Sequence, residues 1–168
     1  TLRLHPVPDA IAAAVCAFET EDAAVDAVIA LLRSGVPVAR IELVDSERIK
    51  ALNAYSKLSL AVTPTLFVEF HGTPQGTREQ SERFADIAAE NGGGPFEWAT
   101  QEEERNRLWQ ARHDAFWATK TLMPGKMVLA TDVCVPISRL AECVTATQQD
   151  LASEGLYGPI IGHVGDGN

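Results

Sequence analysis

The stretch Thr65-Leu66-Phe67-Val68-Glu69-Phe70-His71 is a short, largely apolar run that predicts a β-strand. A helix is expected soon after it, because Thr77 and Gln80 have the spacing of a capping box. This helix should continue through Glu90, and the glycines at 92–94 are expected to end it. The strand therefore opens a strand-then-helix unit.

The same alternation of patterns runs along the whole chain. It predicts further helices at residues 21–33, 46–54, 100–120 and 137–153, the third opened by a capping box at Thr100 and Glu103. It predicts further strands at residues 11–18, 38–44, 96–99, 127–135 and 159–164. Strict alternation, taken alone, favours a parallel sheet.

Composition indicates one ordinary globular domain. The chain has 168 residues, of which 46% are hydrophobic, and its formal net charge is −9. Nucleic acid is an unsuitable partner, because phosphate binding requires clustered Lys and Arg. No uninterrupted apolar run approaches the roughly 20 residues of a membrane span, and no secretory signal is visible at the first residues. The three cysteines, an odd number in apolar contexts, are expected to be buried reduced thiols.

Arg112 is the most unusual residue of the predicted helix at 100–120. At 100° per residue it projects from the apolar stripe, near Leu108 and Ala115. A guanidinium there cannot lose its proton, so it needs a carboxylate or water. Three alternatives follow: an aliphatic stem that reaches solvent, an internal salt bridge, or a clamp for an acidic substrate.

The last residues, Gly162-His163-Val164-Gly165-Asp166-Gly167-Asn168, follow an apolar run. Asp166-Gly167 is a dipeptide typical of a type I′ turn, so Gly165 is expected to pair with Asn168 in a hairpin. His163 would then face the position two residues beyond Asn168, and it is either a structural histidine or half of a bipartite site. We therefore expect the chain to be a piece of a longer protein. The glycine spacing matches neither G-x-G-x-x-G nor a P-loop, although glycines do let a planar partner approach the backbone.

Four segments, in this order, resemble the C-terminal domain of FAD-linked 2-hydroxy-acid dehydrogenases. The likeness is greatest to the cytochrome-linked D-lactate dehydrogenases, with D-2-hydroxyglutarate dehydrogenase and the glycolate oxidase flavin subunit as relatives. It covers essentially all of residues 1–168, and four short motifs in register are specific. The segments are 64–72 (PTLFVEFHG), 108–112 (LWQAR), 131–140 (TDVCVPISRL) and 162–168 (GHVGDGN).

The resemblance implies an α+β fold. It is ferredoxin-like, with a largely antiparallel sheet and helices on one side, and it replaces the parallel sheet that alternation alone favours. Residues 1–168 would form the substrate or cap domain of a larger flavoprotein, truncated at its C-terminus. The N-terminal FAD-binding domain of the family is absent from this chain.

The resemblance also implies roles for particular residues. Arg112 would hold the substrate carboxylate, and His163 would be one ligand of a divalent metal, zinc or manganese, whose site is incomplete here. Gly165, Gly167 and Asn168 would shape the approach to the flavin. The parent would oxidise a D-2-hydroxy acid such as D-lactate and pass electrons to cytochrome c, a quinone or an electron-transfer flavoprotein. The general base would lie beyond the end of the chain.

Other function classes stay open at the level of sequence. Ferredoxin-like domains also serve as small-molecule-binding regulatory modules or as interaction domains. The isolated piece is expected to be inactive, and its uncovered apolar surface would favour self-association. We expect the parent to be cytoplasmic or peripheral to a membrane.

Overall fold

The computed structural model describes residues 7–99 and 101–168. Five strands are present in this part of the chain: β1 (Ala10–Ala17), β2 (Arg40–Val44), β3 (Thr65–Gly72), β4 (Glu97–Ala99) and β5 (Ile161–Gly162). The α-helices in the same part are α1 (Glu21–Arg33), α2 (Ser46–Ser56), α3 (Pro74–Glu90), α4 (Glu102–His113), α5 (Ala115–Leu122) and α6 (Leu140–Ser153), the last preceded by a 3₁₀ turn at Ile137–Arg139.

The strands form a single antiparallel sheet in the order β4-β1-β3-β2-β5. In the centre, β3 pairs with β1 from Ala17↔Thr65 to Ala10↔Gly72, and with β2 at Arg40↔Glu69. The first four strands alternate with α1 and α3 as in the split β-α-β units of ferredoxin-like domains. The expected α+β, ferredoxin-like fold is confirmed, and the parallel sheet that alternation alone favours is not formed.

The helices lie on both faces of the sheet, whereas the expectation was of helices on one side. Side chains alternate along β3, so Leu66 and Val68 face one way and Phe67 faces the other. The first face packs against α1, α3 and the start of α6. The second face packs around Phe67 against residues of α2, α4 and α5. It is covered because Phe67 and Val44 are apolar and would otherwise be left in water.

Side-chain caps begin the first three helices, α1, α2 and α3. Thr20 caps α1, and its Oγ1 accepts a hydrogen bond of 3.1 Å from the Ala23 amide. The helix after β3 begins at Pro74 rather than at the predicted Thr77, because Thr73 is the capping residue and its Oγ1 accepts from Gly76 at 3.1 Å. Proline suits the first position of a helix, where its missing N–H has no partner to lose.

The helix predicted at 100–120 is divided into α4 and α5 at Asp114. Ala115 and Ala118 of α5 are buried in the same cluster as Leu52 of α2. Thr100, the proposed cap, lies outside the described residues. The described helix begins after Gln101, whose side chain makes no capping bond.

Residues 127–135 do not form the predicted strand. Met127 and Leu129 are 94% and 85% exposed, and the segment meets the end of the chain through the amide of Val135, which donates to Gly167 at 2.9 Å. An apolar run becomes a strand only where a neighbouring strand edge is free to pair with it. Among the described residues this segment pairs with no strand of the sheet, and its Val135 amide binds the Gly167 carbonyl instead.

The type I′ turn predicted at Asp166-Gly167 is also absent. Gly167 has a φ of +88°, but Asp166 does not reach the left-handed region that such a turn requires at both positions. The carbonyl of His163 instead accepts from the amides of Asp166 and Asn168, at 3.2 and 3.3 Å. Pairing of the Gly167 carbonyl with the Val135 amide is the interaction that competes with the hairpin.

The cysteines differ in their exposure. Cys16 is buried in β1, as expected, and desolvation raises the pKa of its thiol to about 11. Cys143 is half-buried and Cys134 is exposed, so the expectation of three buried thiols is wrong for Cys134 because its segment is not in the sheet. Every helix in residues 7–99 and 101–168 is too short or too polar to cross a bilayer.

Replacing Gly93 with alanine should destabilise the domain. A Cβ at this position would lie 2.9 Å from the Ala88 carbonyl oxygen and 3.0 Å from both Cys16 Sγ and Phe18 Cε1. Overpacking of this kind typically costs about 1–3 kcal/mol of unfolding free energy. Gly94→Ala is the control, because its added Cβ would come no closer than 3.5 Å to the Ala17 carbonyl. Urea denaturation of both variants tests this, and equal losses would contradict it.

Candidate active site

Glu42 of β2 pairs with Phe67 and lies on the second face of the sheet, although it is an acidic residue in a largely apolar strand. Its neighbours in β2, Ile41 and Leu43, point to the opposite face and belong to the first core. The Glu42 residue is only 7% exposed. A carboxylate this deeply buried requires a cation close to it, because the charge loses its water.

Arg112 of α4 supplies this cation. Its Nε contacts Oε2 of Glu42, and the two side chains are 13% and 9% exposed. The internal salt bridge, one of three alternatives open from the sequence, is therefore present. Within the described residues no hydrogen-bond partner is seen for the two terminal nitrogens of Arg112. The guanidinium can bind a further anion through them.

His163 lies next to the same carboxylate. It follows β5, whose Gly162 pairs with Leu43 of β2, and its Nδ1 is 3.4 Å from Oε1 of Glu42. This distance is longer than a normal N–H···O hydrogen bond. The imidazole is 58% exposed and so remains accessible. The structure thus brings Arg112 and His163 together on one buried carboxylate.

Glu42 was missed at the level of sequence. The feature that could have indicated it is a single carboxylate within the apolar run 38–44. In a pattern analysis such a residue counts only as an interruption of the strand. A lone Glu in a strand is usually placed on the solvent side. Here both faces are covered by helices, so an inward carboxylate has no solvent side to reach.

Asp45 joins the segment that carries His163 to the rest of the site. Its Oδ2 accepts a 2.6 Å hydrogen bond from the Ile160 amide, and its Oδ1 accepts one of 2.8 Å from the Arg48 amide at the start of α2. Burial raises the pKa of Asp45 to about 6, against the opposing effect of these bonds and of the Arg48 charge. The carboxylate is thus mostly ionised at neutral pH and takes up a proton as the pH falls through this value.

Arg48 is a second, half-buried arginine near the site. Its Nη2 donates to the Pro159 carbonyl at 2.7 Å and its Nη1 donates to Ala115 at 3.4 Å. Desolvation lowers the pKa of Arg48, attraction to Asp45 raises it, and the nearby charge of Arg112 lowers it. Arg48 therefore ties the chain before His163 to α5.

A second polar group lies further along the same face. Glu69 is 3% exposed and accepts two bonds from Arg40 Nη2 at 2.9 and 3.0 Å, while His71 Nε2 lies 2.7 Å from Oε1. The Arg40 guanidinium is 4.1 Å from the centre of the Trp109 ring, a cation–π contact. These residues border an open cleft of about 630 Å³ beneath α4, also lined by Ile11, Glu102, Arg105, Asn106, Gln110 and His113.

The three residues expected to approach a flavin have packing partners of their own. A Cβ on Gly167 would lie 2.2 Å from the Val135 carbonyl oxygen, and one on Gly165 would lie 2.9 Å from Ile41 Cγ2. The Asn168 amide donates to Asp132 Oδ1 at 2.8 Å. Packing within the chain therefore explains why positions 165 and 167 are glycine, without a flavin nearby.

The donors present here do not form a metal site by themselves. Among the described residues there is no group of three His, Cys, Asp or Glu side chains that could hold an ion. His163 lies against the carboxylate of Glu42, which Arg112 already compensates. A catalytic zinc usually takes three protein ligands.

Two related proteins match this chain along its full length. A probable mitochondrial D-lactate dehydrogenase of Danio rerio is 51% identical over 168 residues, which are 100% of this chain and 34% of that protein. The mitochondrial D-lactate dehydrogenase [cytochrome] of Arabidopsis thaliana is 40% identical over 168 residues, which are 100% of this chain and 30% of that protein. The chain therefore spans about a third of the length of these relatives.

Solved structures agree on the fold. The 4-ethylphenol oxidase of Gulosibacter chungangensis superposes with a TM-score of 0.66 at 15% identity, over 95% of this chain and 38% of that one. An alkyldihydroxyacetonephosphate synthase gives a TM-score of 0.65 at 17% identity, over 89% and 32%. Residues 7–168 also match the family described as "FAD linked oxidases, C-terminal domain". A match of this extent, together with the two relatives, shows that the chain belongs to the C-terminal domain family of the FAD-linked oxidases.

Proposed function

We propose that this chain is the substrate domain of a flavoprotein that oxidises a D-2-hydroxy acid, D-lactate or a close analogue, to the 2-oxo acid. The names of the two relatives support this oxidoreductase activity. The FAD-binding domain would be contributed by the rest of the parent protein. Family membership favours this function over a ligand-sensing regulatory module.

The observation that supports the proposal most directly is that the terminal nitrogens of Arg112 are available to a ligand. Glu42 contacts its Nε, whereas its terminal nitrogens have no partner among residues 7–99 and 101–168. These two nitrogens form the edge of a guanidinium that binds a carboxylate through two parallel hydrogen bonds. In a 2-hydroxy acid the α-carbon is bonded to the carboxylate. Arg112 would therefore orient the reacting carbon by holding that carboxylate.

The bound cofactor supplies the redox chemistry. The α-hydride of the substrate would pass to FAD and the hydroxyl proton would leave to a base, so that alcohol and oxidised flavin become 2-oxo acid and reduced flavin. Within this chain, Arg112 would fix the carboxylate, and Gly165, Gly167 and Asn168 would border the flavin. This border remains a prediction, since each of the three has a packing role as well.

The assignment of His163 as a ligand of zinc or manganese also remains a prediction. His163 is accessible, as a ligand must be, but the residues around it are too few to hold an ion. Further ligands would have to come from outside the described residues. No step that we assign to Arg112 depends on such a metal.

The electron acceptor and the location follow from the relatives' names alone. The Arabidopsis protein is named as a cytochrome-linked enzyme, and we therefore favour cytochrome c over a quinone or an electron-transfer flavoprotein. Both relatives are named as mitochondrial, which favours that compartment over the cytoplasmic location expected from the sequence. Self-association of the isolated chain remains a prediction, motivated by exposed side chains such as Met127 and Leu129.

Arg112→Lys in the parent enzyme should lower kcat/KM for D-lactate by about 10- to 100-fold, because an ammonium keeps the charge but loses the two-pronged fork. The loss should appear mainly as a higher KM, since the carboxylate is bound in both ground and transition states. Steady-state kinetics with a dye acceptor measures both constants. Arg107→Lys, an exposed position on the same helix, is the control. Equal kinetics for wild type and Arg112→Lys would contradict the clamp.

His163→Ala in the parent should remove bound divalent metal and metal-dependent turnover, if His163 is a ligand as proposed. The test is metal content per flavin by mass spectrometry, measured together with the oxidation rate. His113→Ala removes another exposed imidazole from α4 without touching Glu42 and serves as the control. A His163→Ala enzyme that keeps both its metal and its rate would end the assignment.

A further inference from the structure

We propose that Glu42 is a positioning residue that orients Arg112 for the substrate carboxylate and couples this binding to His163. The inference rests on the proposed function and goes beyond it, because it concerns a buried side chain between the two expected site residues. Each carboxylate oxygen of Glu42 faces a different partner, with Oε2 at Arg112 Nε and Oε1 at His163 Nδ1.

The contact with Nε determines which edge of the guanidinium is left free. A guanidinium can bind a carboxylate either through Nε and one terminal nitrogen, or through its two terminal nitrogens. Because Glu42 contacts Nε, the edge formed by the terminal nitrogens is the one available to a ligand. Glu42 also limits rotation about the last bonds of the Arg112 side chain, so less conformational entropy is lost when substrate binds.

Substrate binding should change the balance of charge at Glu42. In the unliganded site Arg112 compensates one carboxylate, and with substrate bound it must compensate two. Its attraction for Glu42 then falls, and Glu42 attracts the Nδ1–H of His163 more strongly. The present 3.4 Å separation leaves room for this contact to shorten. The low dielectric around a nearly buried carboxylate makes such changes larger than they would be in water.

Within residues 7–99 and 101–168, the nearby charged groups of Asp45 and Arg48 have partners of their own. The Asp45 carboxylate accepts from the amides of Ile160 and Arg48. The Arg48 guanidinium donates to the carbonyls of Pro159 and Ala115. Arg48 repels Arg112 electrostatically, which adds to the requirement for a carboxylate at position 42.

The test uses the flavin-loaded parent and pyruvate, the 2-oxo product of D-lactate, which binds oxidised enzyme without turnover. Glu42→Gln keeps the shape of the side chain but removes its charge. We expect it to weaken pyruvate binding at least about 10-fold, as judged by titration of the flavin absorbance, because Arg112 loses the charged partner that orients it. Glu42→Asp retains the charge on a shorter stem and should recover part of the affinity.

Glu69→Gln is the matched control. It makes the same change in a second buried carboxylate on the same face, but Glu69 is bound by Arg40 and His71 rather than by Arg112. It should leave the affinity for pyruvate unchanged while showing what loss of a buried charge does to thermal stability. If Glu42→Gln does not fold, Glu42→Asp is compared with Glu69→Asp.

Coupling is measured by double-mutant cycles on pyruvate affinity. Glu42→Gln should have little further effect in an Arg112→Lys background, and His163→Ala should weaken binding less once Glu42 is Gln. Additive effects, or a Glu42→Gln enzyme with wild-type affinity, would overturn the inference while leaving the clamp intact. Failure of the proposed function would be different, because the wild-type parent would then neither oxidise D-lactate nor bind pyruvate.

Discussion

The buried carboxylate of Glu42 is the constraint on which the second face of the sheet depends. A charge this far from water is tolerated only with a cation against it, and Arg112 is the cation that reaches it. The pair therefore fixes where α4 lies over β2. Once α4 is placed, Ala115 and Ala118 carry α5 onto α2 and close the same apolar cluster.

The two faces of the sheet consequently differ in chemistry. The first is a continuous apolar core formed with α1 and α3. The second contains the buried carboxylates Glu42 and Glu69, each held by a cation. Cores of the first kind supply stability, whereas polar groups held in fixed positions are what binding and catalysis require. The proposed substrate clamp lies on the face where that polar layer was retained.

Much of this arrangement could be predicted from the sequence, but only where local patterns decide the structure. Periodicity and capping predict the first three strands and α1. Periodicity also places Arg112 on the buried stripe of its helix. The antiparallel order of the sheet came from resemblance, since alternation favoured a parallel one. The predicted strand at 127–135 and the predicted type I′ turn at Asp166-Gly167 were wrong. Contacts between residues distant in sequence determine the conformation of both segments. Glu42 was missed because no local pattern shows that both faces of β2 are covered.

The most direct test of the account is a crystal structure of the flavin-loaded parent with pyruvate bound. It should show the pyruvate carboxylate within hydrogen-bonding distance of both terminal nitrogens of Arg112, with Glu42 still against Nε. The distance from His163 Nδ1 to Glu42 Oε1 should be shorter than the present 3.4 Å. A pyruvate bound instead in the cleft beside Arg40, with the terminal nitrogens of Arg112 unoccupied, would contradict it.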